Sequence, residues 1–241
     1  MNNLIHARAL PPPEPAQLLF RSFRASSRQH WRVLREVSAI YERAFPCDLT
    51  DEDLRDFLGF LYLAVRTLRP RVIVQTGTAI GTSTVAMALG LRDNGSGRIW
   101  TIDPEPDEYF GIKEPVAAAR KAVADARLAA NVTFVHGYST VPLDSSRMRL
   151  PDAPTWQLTR VPPYGSIDLL VVDGDHTFLG CYLDLTFGSA GLSSRGPRAL
   201  VCHDYMGIAH VHRAVRLWSE THQVRFERTI PSRCGIKFFQ L

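Results

Sequence analysis

Two short runs concentrate the residues able to hold a cation or move a proton. Val171-Val-Asp173-Gly-Asp175-His176 and Val201-Cys-His203-Asp204-Tyr205 each follow an apolar stretch with carboxylate and imidazole groups. Placed on adjacent parallel strands, their carboxyl ends lie side by side, so Asp173, His203 and Asp204 converge from distant points of the chain. Two carboxylates and an imidazole suit a divalent cation, and Mg²⁺ is the expectation for a carboxylate-rich site. Hydrolytic chemistry by a covalent nucleophile finds no support, because the chain has neither a nucleophile elbow nor a Cys-His signature.

A second group lies upstream, in Thr76-Gly77-Thr78-Ala79-Ile80-Gly81-Thr82-Ser83. Glycines at 77 and 81 let backbone approach a ligand closely, and the helix that follows offers unpaired N–H groups. This reads as a cofactor-binding turn with Thr76, Gly77, Thr78, Gly81 and Ser83 as contacts. Its G-x-x-x-G spacing differs from the G-x-G-x-x-G of dinucleotide sites, and it lacks the G-K-[ST] of a P-loop. Asp103 closes the next strand candidate, where a carboxylate is placed to accept both hydroxyls of a ribose.

The elements that must position these residues are legible from periodicity. Pro70 stops a helix that starts near Thr50, with Asp51, Glu52 and Asp53 in its first turn. Strand candidates follow at Val72 to Thr76, Ile99 to Asp103, Val132 to Val135, Ile167 to Asp173 and Ala199 to His203. Helical patterns at Ser83 to Leu91, Pro115 to Ala129 and Phe178 to Gly188 separate most of them, which predicts an α/β, Rossmann-like doubly wound parallel sheet. A helix around Val211 to Glu220 precedes two strands, Gln223 to Thr229 and Gly235 to Gln240, joined so tightly that they must be antiparallel. The stretch from about 144 to 166, with four prolines, interrupts the rhythm as a long insertion of the kind used for lids and binding loops.

Residues 1–15 form a proline-rich lead, 16–49 a helical extension, and 50–241 the main domain. From about Ala16 to Phe45 the pattern is helical, which adds amino-terminal helices to the sheet fold. It sets Leu18, Leu19, Phe23, Trp31, Val33, Leu34 and Val37 opposite Arg21, Arg24, Arg28, Arg32 and Arg35. The arginines read as a solvated face.

With the glycine turn, Asp103 and the paired strand ends in place, the chain from Asp51 to Leu241 resembles the class I S-adenosylmethionine-dependent methyltransferases. V-Q-T-G-T-A-I-G-T-S-T stands as the methionine-site loop, W-T-I-D-P as the ribose-acid strand, and V-H-G-Y-S as the segment near the adenine. The last adds Tyr138 and Ser139 to the implied cofactor contacts, and Asp173 joins them. Gln75 departs from the family, which usually has an acid there. D-G-D-H and H-D-Y look like the metal-dependent O-methyltransferase branch. That likeness makes Asp173 and Asp204 metal ligands, places His203 where an acidic ligand is common, and makes His176 the general base. The resemblance implies S-adenosylmethionine and a divalent metal, Mg²⁺ by preference, as cofactors. It implies methyl transfer to a hydroxyl of a small molecule such as a sugar, polyketide or phenol. Two other readings stay open: a nucleic-acid-modifying methyltransferase, argued only by the arginine stripe, and a non-catalytic binding protein on the same fold.

Composition bounds the rest. The chain has 241 residues, 45% hydrophobic and 22% charged, ordinary for a globular domain rather than a disordered one. Its +4 charge comes almost wholly from arginine, too modest for a dedicated nucleic-acid binder, so nucleic acid is an unexpected partner. Cys47, Cys181, Cys202 and Cys234 show no C-x-x-C spacing, which favours reduced thiols over a zinc ribbon or disulfide framework. No leader-like apolar region and no membrane-length stretch is present, so a cytoplasmic protein is expected. Homo-oligomerisation is left open.

Overall fold

The structure, a computed structural model, describes residues 14–25, 27–41, 52–109, 111–140, 157–162 and 165–241. In chain order the strands are β1 (Val72–Thr76), β2 (Arg98–Asp103), β3 (Glu108–Tyr109), β4 (Ile112–Lys113), β5 (Val132–His136), β6 (Leu169–Val172), β7 (Ala199–Cys202), β8 (Phe226–Ile230) and β9 (Ile236–Gln240). Seven of them form one sheet in the order β5-β2-β1-β6-β7-β9-β8, while β3 and β4 make a separate two-stranded hairpin. The first five strands of the sheet run parallel; β9 lies antiparallel to β7, and β8 antiparallel to β9. This is the Rossmann-like class I methyltransferase arrangement, with its reversed strand at the carboxyl terminus.

Alternate residues of the apolar strands bury into different layers. Ile73, Leu169, Val171 and Val201 face a core shared with α3 (Glu52–Leu68), α4 (Thr82–Asn94) and α5 (Pro115–Asp125). Val74, Leu170, Val172 and Leu200 face a second core built with α6 (Phe178–Ala190) and α7 (Ala209–Thr221). Burial on both faces explains why these strands read as continuous apolar runs instead of an alternating pattern. Within the second layer Trp218 is fully buried and packs edge-on to Phe239.

The amino-terminal segment is helical, as expected, and consists of α1 (Glu14–Ala25) and α2 (Ser27–Tyr41). Phe20 of α1 sits between Phe60 of α3 and Phe238 of β9, with ring centroids 5.8 and 5.4 Å away. Each fully buried phenylalanine is worth roughly 1.5–3 kcal/mol, so this contact ties α1 to the sheet. Leu18 and Trp31, assigned to the apolar face, are instead half-exposed. Trp31 lies beneath the Arg55 guanidinium, 5.3 Å from its ring centroid, an amphipathic ring covered by a cation rather than by core. All five arginines of the stripe are exposed. The expected N-cap at Thr50, the proline-rich lead through residue 13, and most of the 144–166 insertion lie outside the described residues. Among the described residues no helix is long and apolar enough to cross a membrane.

Candidate active site

Every functional residue expected from the sequence falls at or just beyond the carboxyl ends of the parallel strands. Gly77, at φ +80°, leaves β1 so close to β6 that a Cβ would lie 2.1 Å from the Asp173 carbonyl oxygen. Only glycine fits there. Gly81, at φ +81°, precedes α4 without supplying a side-chain cap, which leaves the first amides of that helix directed at the turn. Thr78 Oγ1 and Thr101 Oγ1 share a hydrogen bond of 2.6 Å that fixes the turn to β2.

Gln75 has a physical reason to replace the usual acid. Its Nε2 donates to the Gly77 carbonyl at 2.6 Å and to Ser83 Oγ at 2.8 Å, while Oε1 accepts from Thr84 Oγ1 at 2.9 Å. An ionised carboxylate could not donate to that carbonyl. Gln75, fully buried, therefore joins the turn to α4, and Ser83 is oriented by it. Tyr41, which the sequence reading did not single out, reaches the same turn from α2 and donates its phenolic hydrogen to the Ile80 carbonyl at 2.5 Å. No local motif marks that contact across thirty-nine residues.

Asp103 does more than face a ligand. Its Oδ2 accepts the amides of Thr78 at 2.8 Å and Ala79 at 3.1 Å, and Oδ1 accepts the amide of Glu105 at 2.8 Å. The carboxylate thus clamps the glycine turn, with two of these bonds on Oδ2 and one on Oδ1. Burial raises its pKa, an effect the three amide donors oppose.

Tyr138 and Ser139, the expected adenine contacts, follow β5 at the edge of the sheet. Burial raises the Tyr138 phenol. Ser139 Oγ donates to Asp184 Oδ1 at 2.6 Å, and Thr140 Oγ1 approaches the same oxygen at 3.3 Å. Asp184, on α6, is fully buried, and burial pushes its pKa up to about 6 against the hydrogen bond from Ser139. The sequence reading missed it, because an acid within an apolar helix announces no partner.

The densest chemistry gathers past β6 and β7. Register pairs Val172 with Cys202, so Asp173 and His203 follow adjacent strands side by side. His203 Nδ1 lies 3.1 Å from Asp173 Oδ1 and 3.3 Å from Asp204 Oδ2. His176 Nε2 lies 3.0 Å from the same Asp204 Oδ2. Asp204 adopts φ +58°, a left-handed conformation that aspartate tolerates better than most residues. Phe57 of α3 stacks on the His203 ring, with centroids 3.9 Å apart and planes at 14°.

Charge in this cluster is strongly coupled. Burial disfavours the His203 cation, yet Asp173 and Asp204 outweigh it and lift the imidazole to about 10. Asp204 is held well below the usual carboxylate range, its burial overcome by His176 and His203. His176 is raised, chiefly by Asp204. Tyr109, on the hairpin after β2, is pushed up to about 12 by burial and by the field of Asp173, Asp204 and Asp103, which places it beside the site. That tyrosine was also missed, since a two-residue strand gives no periodic signal.

A family model described as a methyltransferase domain matches residues 74–205, more than half of the chain and the whole region from the glycine turn to the His203-Asp204 pair. The chain belongs to that family and is a methyltransferase. Solved structures share the fold across most of their length. An O-methyltransferase from Bacillus cereus in complex with S-adenosylhomocysteine is similar at 20% identity and a TM-score of 0.59, covering 87% of this chain and 91% of that one. The O-methyltransferase TomG of Streptomyces achromogenes, involved in tomaymycin synthesis and bound to S-adenosylmethionine, is similar at 19% identity and 0.58, covering 87% and 89%. An S-adenosylhomocysteine-bound methyltransferase from Podospora anserina reaches a TM-score of 0.61 at 17% identity, covering 95% and 97%. No curated protein sequence matches the chain.

Proposed function

We propose that the protein transfers the methyl group of S-adenosylmethionine to a hydroxyl of a small molecule, with a divalent cation held by Asp173, His203 and Asp204 and with His176 as general base. The observation that carries this reading is the meeting of those four side chains beyond β6 and β7, next to the glycine turn. Their chemistry fits a cation. His203 Nε2 is buried without a hydrogen-bond partner among the described residues, and the oxygens of Asp173 and Asp204 stand within 3.3 Å of an imidazole nitrogen. The turn fits the cofactor, offering uncapped helix amides and glycines that admit close approach. The O-methyltransferases with the same fold, one of them involved in tomaymycin synthesis, support the acceptor class.

Methyl transfer is an in-line displacement on a sulfonium, so alignment and removal of one proton are the protein's tasks. Thr76, Gly77, Thr78, Gly81, Ser83 and Asp103 form the turn and clamp that would hold the cofactor, with Tyr138 and Ser139 flanking the adenine. A cation bound by Asp173, His203 and Asp204 would supply positive charge that makes the acceptor hydroxyl more acidic. His176, in its neutral form, takes the hydroxyl proton, and Asp204, 3.0 Å from Nε2, orients the ring and stabilises the imidazolium that results.

The test is transfer of an isotopically labelled methyl group from S-adenosylmethionine to a panel of sugars, polyketides and phenols, with a chelator and metal readdition in parallel. Labelled methyl ether, lost with the chelator and restored by metal, is the expected result. Activity indifferent to the chelator would remove the metal role, and labelling of nucleic acid alone would replace the acceptor class.

A further inference from the structure

A fifth donor stands beside the cluster. Cys234, in the turn between β8 and β9, offers its sulfur within 4.8 Å of ligand atoms of both His203 and Asp204, as close-set a trio as Asp173, His176 and Asp204. Asp204 belongs to both trios.

The turn that carries Cys234 is fixed against the strand-end loop. The amides of Met206 and Gly207 both donate to the Cys234 carbonyl, at 2.8 and 2.9 Å, and the Tyr205 amide donates to the Gly235 carbonyl at 3.2 Å. Ser232 Oγ accepts the Gly235 amide at 2.9 Å. At Gly235, φ +72°, a Cβ would come within 2.4 Å of Met206 Cγ, so the fit leaves no room for a side chain. The antiparallel edge of the sheet thereby delivers a thiol to a site that the parallel strands build. The other described cysteines, Cys181 and Cys202, are buried in the core, whereas Cys234 is only partly covered.

Two imidazoles, a thiol and carboxylates are not the donors that Mg²⁺ favours. That ion is hard, prefers oxygen and retains waters. Zinc and its neighbours take thiolate and imidazole readily, in sites that leave a position open for substrate. Resting on the metal-assisted reading above, we propose that the cation of this site is a transition metal of the zinc type and that Cys234 is one of its ligands, together with His203 and Asp204. Substitution of an imidazole for the usual acid at 203 and placement of a thiol beside it both shift the donor set the same way.

The experiment uses chelator-treated full-length protein titrated with cobalt(II), read by absorption. Wild type is expected to bind one cobalt and develop a thiolate-to-cobalt charge-transfer band in the near ultraviolet. Cys234→Ser should lose that band and bind at least tenfold more weakly, with its melting transition retained. Zinc should displace the cobalt at stoichiometric amounts, and millimolar Mg²⁺ should not. A second measurement needs no variant: zinc should slow alkylation of Cys234 by iodoacetamide at least tenfold, and Mg²⁺ should leave it unchanged. Cobalt binding with the same spectrum in wild type and Cys234→Ser, alkylation indifferent to zinc, or displacement by Mg²⁺ would overturn the proposal while leaving a metal site in place. Absence of binding by cobalt, zinc and Mg²⁺ alike would overturn both this proposal and the metal-assisted reading.

Discussion

At the scale of single residues, side chains that look like ligand contacts also act as structural supports. Asp103 illustrates this, since two of its three hydrogen bonds come from the glycine turn. Asp103→Ala should therefore weaken S-adenosylhomocysteine binding by about 1.5–3 kcal/mol, the usual worth of hydrogen bonds to a charged group, and should speed hydrogen exchange at the Thr78 and Ala79 amides. Calorimetry reads the first and exchange mass spectrometry the second. Weakened binding with unchanged exchange would leave Asp103 as a ligand contact without the clamp. His176→Ala makes a different prediction. Because the base is separate from the cofactor turn, binding of S-adenosylhomocysteine should survive while turnover falls by ~10² to 10⁴. Single-turnover kinetics on an accepted substrate would check it, and full activity in this variant would remove His176 from proton transfer.

Among the elements, the amino-terminal helices reach the site through one contact that periodicity could not show. Tyr41 of α2 holds the Ile80 carbonyl, and a side chain on Gly81 next to it would meet Ala119 and the Tyr41 hydroxyl. Tyr41→Phe should cost about 1 kcal/mol of stability, the net value of one hydrogen bond. Gly81→Ala should cost more, roughly 1–3 kcal/mol, because its φ of +81° is joined to a Cβ contact of 2.6 Å with Ala119. Denaturant titration of both variants measures the difference; a neutral Gly81→Ala would show that the turn relaxes freely. The parallel strands, by contrast, were readable almost residue by residue. Burial on two faces makes them apolar throughout, and glycine or proline punctuates their ends. The hairpin at Tyr109 was not readable, since it is too short to have a period. Asp173, His203 and Asp204 were legible as a group because adjacent parallel strands bring their ends together whatever the sequence separation, and His176 was legible only through the motif it shares with the resembling family. Cys234 was not, because its approach depends on how the antiparallel turn docks on the loop after β7.

For the molecule as a whole, Asp184 links stability to pH. Its carboxyl, fully buried, titrates near 6 in the folded protein against an ordinary value of 3.8. The neutral form is thus favoured by folding. Its stabilising contribution is full below the unfolded value and is lost as pH rises through about 6, which at one pKa unit per 1.36 kcal/mol amounts to roughly 3 kcal/mol. Asp184→Asn, which keeps an acceptor for Ser139, should flatten the stability profile between pH 4 and 8 and gain on wild type toward the alkaline end. Melting curves across that range would show it. An identical pH profile in the variant would mean that Asp184 stays ionised throughout.

We propose that the turn after β1, clamped by Asp103 and tied to α4 by Gln75, is built for S-adenosylmethionine. Calorimetric titration of the purified protein with S-adenosylmethionine and, separately, with NAD tests it most directly. One S-adenosylmethionine bound per chain, with no heat from NAD and with affinity reduced in Asp103→Ala, is the predicted result. Binding of NAD in place of S-adenosylmethionine, or no saturable binding of S-adenosylmethionine at all, would contradict it.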